Sequence, residues 1–386
     1  MKKIRFGLLP RIIVAIALGV ALGGVLPEWM VRVFLTFNGV FSQFLGFAIP
    51  LIIVGMVIPA IGDIGRGAGR MLAITVALAY GSTIVAGLAS YFTGALSFPS
   101  LISSQVKLDA AAETTKITPF FTMDIPPLMS VMTALVLAFV VGLGLAYIKG
   151  DTLRRAAKEF EEIITMTISS VIIPLLPIYI FGIFLDMTAA GEVYRVLTVF
   201  IKIIGVIFLL HIAWLILLYT VSGLISKRNP FKMLATMLPA YFTALGTQSS
   251  AATIPVTLAQ TRKMGVSEQV GGFVVPLCAT IHMSGSMLKI VACAMALMMM
   301  QGMAINFSLF FGFICLLGIT MVAAAGVPGG AIMAALGVLA SVLGFTPEDQ
   351  ALMISLYIAM DSFGTACNVT GDGALAAIVD KIKWNK

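Results

Sequence analysis

Charged side chains are scarce in this chain. Asp, Glu, Lys and Arg together make up 11% of its 386 residues, whereas hydrophobic residues make up 60% and the mean hydropathy is +1.07. So little charge excludes an ordinary soluble domain. Several apolar segments reach the length of about 20 residues that crosses the ~30 Å hydrocarbon core of a bilayer. The sequence therefore predicts a membrane protein that crosses the bilayer several times.

Cysteine and histidine are scarce as well, with four and two residues. The cysteines lie in apolar stretches and form no CxxC pair, which argues against a disulfide framework and a zinc ribbon. Cys278 and His282 are four residues apart, but no further ligands gather around them for a soft metal. Catalytic motifs such as HExxH and GxSxG are absent from the sequence. We therefore expect neither an enzyme nor a cofactor-dependent protein.

The excess of positive charge, +7 at pH 7, bears on topology. In a soluble chain it would suggest nucleic acid as a partner, but in a membrane protein it marks a cytoplasmic surface. Most Lys and Arg residues fall on one side if the N-terminus is cytoplasmic and if 232–265 and 305–345 each enter and leave the membrane on the same side. The distribution predicts two re-entrant hairpins, cytoplasmic N- and C-termini, and no nucleic-acid partner. The basic, apolar N-terminus is expected to be an uncleaved first helix and not a signal peptide.

Polar residues interrupt the apolar last third of the chain. The stretches 246–255 and 323–330 are rich in small, hydroxylated or helix-breaking residues, and 281–290 reads IHMSGSMLKI. Non-helical backbone at membrane depth is tolerated only where protein or a water-filled cavity supplies hydrogen bonds. Close helix packing through small residues would explain one such stretch. Three of them in succession favour a binding site.

The last apolar segment carries a polar stripe. Its four polar residues are spaced by 4, 3 and 4 positions, so that a helix aligns them on one face; they are Asp361, Thr365, Asn368 and Asp372. A carboxylate costs about 2.5–3.5 kcal/mol at the bilayer centre and usually marks an ion or substrate pathway. Asn368 and Asp372 offer hard oxygen ligands for a small alkali cation, and Asp361 could pair with a substrate ammonium. The alternative is that both aspartates only bond neighbouring helices.

These stretches also resemble a known family, the dicarboxylate/amino acid:cation symporters, which includes the excitatory amino acid transporters and archaeal aspartate transporters. GTQSSAATIPVTLAQTRKMGVSEQ resembles the first re-entrant hairpin of that family, AGVPGGAIM the tip of the second hairpin, and ACNVTGDGALAAIV the last helix. The stretch 281–290 takes the place of the interrupted seventh helix. The likeness is close over 241–382 and looser over 36–190.

The resemblance implies an all-α membrane protein with eight transmembrane helices and two re-entrant helical hairpins. It implies a homotrimer in the cytoplasmic (inner) membrane, in which a transport domain moves against a scaffold domain. The scaffold would comprise helices 1–2 (1–66) and helices 4–5 (128–190). The transport domain would comprise helix 3 with an external loop (67–127), helix 6 (191–226), and a core of hairpin 1, helix 7, hairpin 2 and helix 8 (227–386).

The resemblance also implies residue roles, with Asp361 binding the amino group of an amino acid substrate and Asn368 binding its carboxylate. The predicted substrate-binding residues are Ser249, Ser250, Ser286, Lys289, Gly326, Asp361, Gly364, Thr365 and Asn368, of which Lys289 and Gly364 depart from the family pattern. The predicted cation-binding residues are Cys278, Thr280, His282, Met283, Met321, Ala324, Asn368 and Asp372, of which Cys278 and His282 are included for their own chemistry. Among these, Asn368 and Asp372 would hold one Na⁺ ion.

The chain departs from the family pattern at several positions. His282 and Ser284 stand where an asparagine and an aspartate are usual, so a third, deep sodium site is not expected. An imidazole titrates near pH 6.5, so His282 could carry a proton, or it could be a neutral structural residue. Gly364 and Gln248 stand where arginines occur in acidic-substrate relatives and some other members.

Lys289 stands where the family usually has an aromatic residue. It could supply positive charge for a second substrate carboxylate, or it could be neutralised by a nearby acid in a pocket for small neutral amino acids. The sequence thus predicts a secondary active symporter of a small amino acid or dicarboxylate, driven by Na⁺ with H⁺ as a second candidate ion. The alternatives are a serine-, alanine- or threonine-type carrier or exchanger and, less favoured, an ion or anion channel.

Overall fold

The computed structural model describes residues 8–64, 69–102, 117–191, 193–322 and 329–382. Within these ranges the chain forms α-helices and one π-helical turn at 168–172, and no strand is found in them. This confirms the predicted all-α class. The helices before the first hairpin are α1 (Leu8–Leu22), α2 (Glu28–Ile64), α3 (Gly69–Leu101), α4 (Val131–Tyr147), α5 (Thr152–Thr167), α6 (Ile173–Ala189) and α7 (Val193–Ser226). The later helices are α8 (Pro230–Thr247), α9 (Ser250–Lys263), α10 (Glu268–Ile281), α11 (Ser284–Met300), α12 (Phe307–Met321), α13 (Gly330–Leu343), α14 (Pro347–Ala359) and α15 (Asp361–Lys381).

Five helical segments of the described ranges are long and apolar enough to cross a membrane, and a sixth is obtained if α14 and α15 are one bent span. The apolar helices α1 and α4 have 15 and 17 residues, fewer than the roughly 20 that cross a bilayer without tilt or thinning. With them the number of spans would reach the eight expected from the sequence. That count stays a prediction.

The helices pack in two groups. In the first group, α1 packs against α6, and α2 packs against α4, α5 and α6. In the second group, α15 packs against α7 to α11, and α3 packs against α10, α11 and α12. Contacts between the groups run through α13 with α2 and through α14 with α1 and α6. The assignment of these helices to a scaffold domain and a transport domain, and the relative movement of the two domains, stay predictions.

Two pairs of helices form hairpins at the positions predicted for re-entrant segments. Helices α8 and α9 pack on each other, and Gln248 between them adopts the left-handed conformation at φ 55°. Ser249 begins the next arm, because its hydroxyl accepts a hydrogen bond from the Ala252 amide as an N-cap. Helices α12 and α13 also pack together. The predicted tip of that second hairpin lies mostly at 323–328, outside the described residues.

Two further pairs form interrupted helices. The break predicted within 281–290 lies at His282 and Met283, between α10 and α11. Helices α14 and α15 meet at Met360 with a bend of 62°. Both interruptions are enclosed by protein, because His282 and Met283 at the first and Met360 at the second are buried. Protein must therefore satisfy the backbone groups that the interruptions free.

Candidate functional site

A cavity of about 60 Å³ lies where the hairpin ends meet the two interruptions. Eight residues that the sequence singled out line it: Ser249, Ser250, Thr280, Met283, Ser286, Asp361, Thr365 and Asn368. They come from α9, from both sides of the α10–α11 break and from α15, so that folding joins segments more than 100 residues apart in the chain. The predicted residues thus share one polar cavity.

Asn368 holds the start of α11 in place. Its Oδ1 accepts hydrogen bonds from the amides of Gly285 at 2.7 Å and Ser286 at 3.3 Å, and its Nδ2 donates to Ser286 Oγ at 3.1 Å. Amides in the first turn of a helix lack intrahelical partners. Asn368 therefore satisfies the backbone that the break exposes. Its predicted role in binding a substrate carboxylate stays a prediction.

His211 of α7 contacts the same turn of α11: it is buried, and its Nε2 lies 2.9 Å from the Gly285 carbonyl oxygen. Because a carbonyl only accepts, Nε2 carries the proton. His211 therefore donates a hydrogen bond to a carbonyl of the interrupted helix.

Each carboxylate oxygen of Asp361 has a partner within the chain. Its Oδ1 lies 3.0 Å from the Lys289 ammonium, and its Oδ2 accepts a hydrogen bond of 2.8 Å from the Gly329 amide, which precedes α13. The Lys289 side chain is fully buried, and the Asp361 side chain is 5% exposed. As the first residue of α15, the carboxylate also benefits from the positive end of the helix dipole. The pair therefore neutralises charge that would be costly without a partner.

The Lys289 side chain has a fitted compartment. Its Nζ lies 3.3 Å from the centroid of the Tyr357 ring and 3.5 Å from the Met360 carbonyl oxygen. A Cβ added at Gly364 would lie 2.8 Å from both Cε and Nζ of the lysine, so a larger residue there would require the end of the lysine side chain to shift. Of the two interpretations of Lys289, the geometry fits neutralisation by a nearby acid, and that acid is Asp361.

A second acid–base pair joins α10 to α15. His282 Nδ1 lies 2.9 Å from Asp372 Oδ1, and its Nε2 lies 3.0 Å from Ser82 Oγ on α3. An ionised carboxylate only accepts, so Nδ1 donates to it, while Ser82 can donate to a neutral ring or accept from a charged one. A Cβ at Gly371 would lie 2.7 Å from His282 Cε1. The imidazole is thus held on both sides between α3 and α15.

The family of the chain follows from a comparison of its sequence with models of known protein families. The model of the sodium:dicarboxylate symporter family matches residues 8–382. The chain belongs to this family. Membership confirms the resemblance drawn from the motifs, and the family is described as one of symporters, which are transporters and not enzymes.

Three named transporters are similar to the chain in sequence. Excitatory amino acid transporter 1 of Rattus norvegicus is 32% identical over 243 residues, which are 61% of this chain and 43% of that protein. Neutral amino acid transporter B(0) of Rattus norvegicus is 29% identical over 276 residues, 68% and 49% of the two chains. Excitatory amino acid transporter 4 of Mus musculus is 35% identical over 164 residues, 41% and 28% of the two chains. The matches cover less than half the length of each relative.

Not every residue that the family resemblance implied reaches the cavity. Cys278 and Met321 are fully buried among apolar side chains, away from the lining. Gly364 lies against Lys289 and not against the cavity, and His282 and Asp372 pair behind it. Among the described residues, no group of three or more His, Cys, Asp or Glu side chains could hold a metal ion. Ala324 and Gly326 lie outside the described residues.

Other contacts were not expected from the sequence. Tyr357 lies under the Lys289 ammonium with its hydroxyl 3.1 Å from Ser286 Oγ, and Gly329 donates to Asp361. Tyr357 precedes Asp361 by four residues in the sequence, and this spacing could have indicated that the two side chains lie close together. Nothing local indicated Ser82, because its contact with His282 joins positions 200 residues apart.

Proposed function

We propose that this protein is a secondary active symporter for a small solute that carries a carboxylate. The observation that carries the proposal is the polar cavity between two hairpins and two interrupted helices in a member of a symporter family. Three helices, α9, α11 and α13, begin beside this cavity, at Ser250, Ser284 and Gly330. Helix N-termini favour anions, and interrupted helices in transporters commonly present them to the carboxylate of a substrate.

We propose a transport cycle that uses the same arrangement. Solute and Na⁺ bind between the hairpins, the second hairpin closes over them, and the second helix group moves across the membrane against the first in an elevator-type step. Na⁺ is proposed at Asn368 and Asp372, with Thr280 and Met283 near a second ion, and H⁺ as a further coupling ion. The assembly is proposed as a homotrimer in the cytoplasmic membrane, with both termini in the cytoplasm.

A carrier or exchanger of small neutral amino acids is the second candidate. It is supported by the 29% identity to neutral amino acid transporter B(0) and by Gly364, which offers no guanidinium for a second carboxylate. In this version the solute would be of the serine, alanine or threonine type. The two candidates differ in solute and share a mechanism.

Uptake into sealed vesicles tests the proposal. Purified protein is reconstituted, and labelled succinate, aspartate, propanoate and alanine are offered under an inward gradient of Na⁺, with K⁺ and choline as controls. We expect saturable accumulation of at least one solute, and exchange of the label for unlabelled solute inside. Flux that does not saturate and does not accumulate solute against its gradient would mean a channel and would overturn the proposal.

A further inference from the structure

We propose that Lys289 supplies to Asp361, from within the chain, the ammonium group that an amino acid substrate would otherwise bring. The cavity would then select carboxylates that lack an α-ammonium group, and Lys289 would be the residue that sets this selectivity. The proposal rests on the proposed symport function and names the substrate class of the same cavity.

The first step of the argument is the occupancy of the Asp361 carboxylate. One oxygen faces the Lys289 ammonium at 3.0 Å, and the other accepts the Gly329 amide at 2.8 Å. A carboxylate that already faces one buried cation gains little from a second one, and two ammonium groups side by side repel each other. A zwitterionic amino acid would therefore have to displace Lys289 in order to use Asp361.

Displacement of Lys289 is opposed by its surroundings. The side chain is fully buried, so that its ammonium cannot reach water by extending its stem. The ammonium faces the Asp361 carboxylate, the Met360 carbonyl oxygen and the face of the Tyr357 ring. An ammonium group has three hydrogen-bond donors, and these three groups surround it. Leaving them would cost the lysine all of its polar partners in a low-dielectric environment.

The direction of the ammonium decides between the two roles open to a lysine. A lysine that bound a second substrate carboxylate would present its charge to the cavity. Asp361 and Tyr357 line the cavity, whereas Lys289 lies behind them. The lysine therefore serves the carboxylate of Asp361 and not that of a ligand. What faces the ligand is a neutralised pair, surrounded by hydroxyl groups and helix N-termini.

Gly364 is the structural companion of this lysine. A side chain at 364 would meet Cε and Nζ of Lys289 at 2.8 Å. The glycine thus creates the compartment that lets the ammonium reach Asp361 from α11. The lysine and the glycine together convert an anionic subsite into a neutral one.

The test uses pairs of probes that differ by one amino group: succinate with L-aspartate, and propanoate with L-alanine. Binding is measured by thermal stabilisation of the purified full-length protein, and uptake is measured in sealed vesicles. We expect the wild type to favour succinate and propanoate over the amino acids by about tenfold or more. We expect Lys289→Met to shift both ratios toward the amino acids by about tenfold, because Asp361 can then accept their ammonium.

Two further variants keep the test decisive. Lys202→Met removes a lysine that lies on the exposed face of α7, and it should leave the ratios as in the wild type. If Lys289→Met does not fold, the double variant Lys289→Met/Asp361→Asn removes both charges together and should bind both members of each pair with similar affinity. Preservation of the wild-type ratios in Lys289→Met, or in the double variant, would overturn the proposal.

The wild type alone also separates the two levels of inference. Saturable uptake that favours aspartate or alanine over succinate or propanoate would overturn the selectivity role and leave the symport function standing. Absence of saturable binding and uptake for all four probes would overturn both.

Discussion

Helix α15 carries two carboxylates that pair with bases from opposite sides of the same break, and the two pairs differ in what surrounds them. The cavity pair, Asp361 with Lys289, touches the lining of the cavity through its acid. The helix-bridging pair, Asp372 with His282, lies away from the lining and is anchored to α3 through Ser82. One base is a point charge on a flexible stem, and the other is a rigid ring that can bind or release a proton.

This difference predicts opposite sensitivities. The end of the lysine side chain can shift slightly to make room for a neighbouring group. Leaving the lysine buried without its carboxylate is costly. The imidazole can give up its proton, but it has no room to move between two helices. Changes that remove charge should therefore act most strongly on the cavity pair, and changes that add volume should act most strongly on the helix-bridging pair.

The largest expected effect comes from removing one charge of the cavity pair. Lys289→Met leaves the Asp361 carboxylate buried without its cation, which should lower the free energy of unfolding by about 3–5 kcal/mol. Lys289→Met/Asp361→Asn removes both charges and should recover most of the loss. Unfolding can be followed with a thiol-reactive dye, because Cys278, Cys293 and Cys367 are buried in the folded chain. Equal destabilisation of the single and double variants would show that packing and not charge dominates at this pair.

The acids of the two pairs provide the next contrast. Asp372→Ala leaves a histidine that can become neutral, and we expect a loss of about 1–3 kcal/mol; Asp361→Ala leaves a lysine without its carboxylate and should cost more. Asp372→Ala should also abolish Na⁺-dependent binding while the protein remains folded as a membrane oligomer. Stabilisation by NaCl relative to choline chloride measures this. Sodium-dependent stabilisation that survived in Asp372→Ala would remove Asp372 from the proposed cation site.

Two glycines on α15 give a matched steric comparison. Gly364→Ala places a methyl group 2.8 Å from the mobile end of Lys289, whereas Gly371→Ala places one 2.7 Å from the fixed ring of His282. We expect Gly371→Ala to destabilise by about 1–3 kcal/mol. Gly364→Ala should cost less, since the lysine can shift and alanine favours the helix by about 1 kcal/mol.

Gly205→Ala on α7, where no atom lies within 4 Å of the added methyl group, is the control for helix propensity alone. The free energy of unfolding of the three variants decides the comparison. A larger loss for Gly364→Ala than for Gly371→Ala would reverse the assignment of the flexible and the rigid base.

Much of the fold could be predicted because its signals are local. The length of the apolar segments predicts helices. Small or helix-breaking residues inside these segments indicate the hairpin tip at 248–249 and the interruption at 282–283. The polar stripe on α15 follows from spacing alone. Proximity of Lys289 to Gly364 could also be expected, since the sequence places the lysine about one turn beyond the break.

The partners within the site could not be predicted, because they depend on how helices pack. Lys289 and Asp361 are 72 residues apart, and the same residue types at the same positions fit either a substrate-facing lysine or an internally paired one. The role of Asn368 in holding the break depends on the rotation of α15 against α11. The residues of the second hairpin tip, Ala324 and Gly326, stay predictions.

The smallest expected effect concerns the charge of the helix-bridging pair and its response to pH. The His282 ring faces Asp372 on α15 and Ser82 on α3. An imidazole can take up a second proton, whereas an amide cannot. A protonated ring would neutralise Asp372 and compete with Na⁺, so we expect the apparent affinity for Na⁺ to be weaker in acidic than in alkaline buffer. His282→Asn, whose amide cannot change charge, should lose part of this dependence.

His211→Gln retains an N–H donor for the Gly285 carbonyl and serves as the matched control, with the wild-type profile expected. Superimposable pH profiles for the wild type and His282→Asn would show that the imidazole is a neutral bridge between α3 and α15, and that the two pairs differ in rigidity alone.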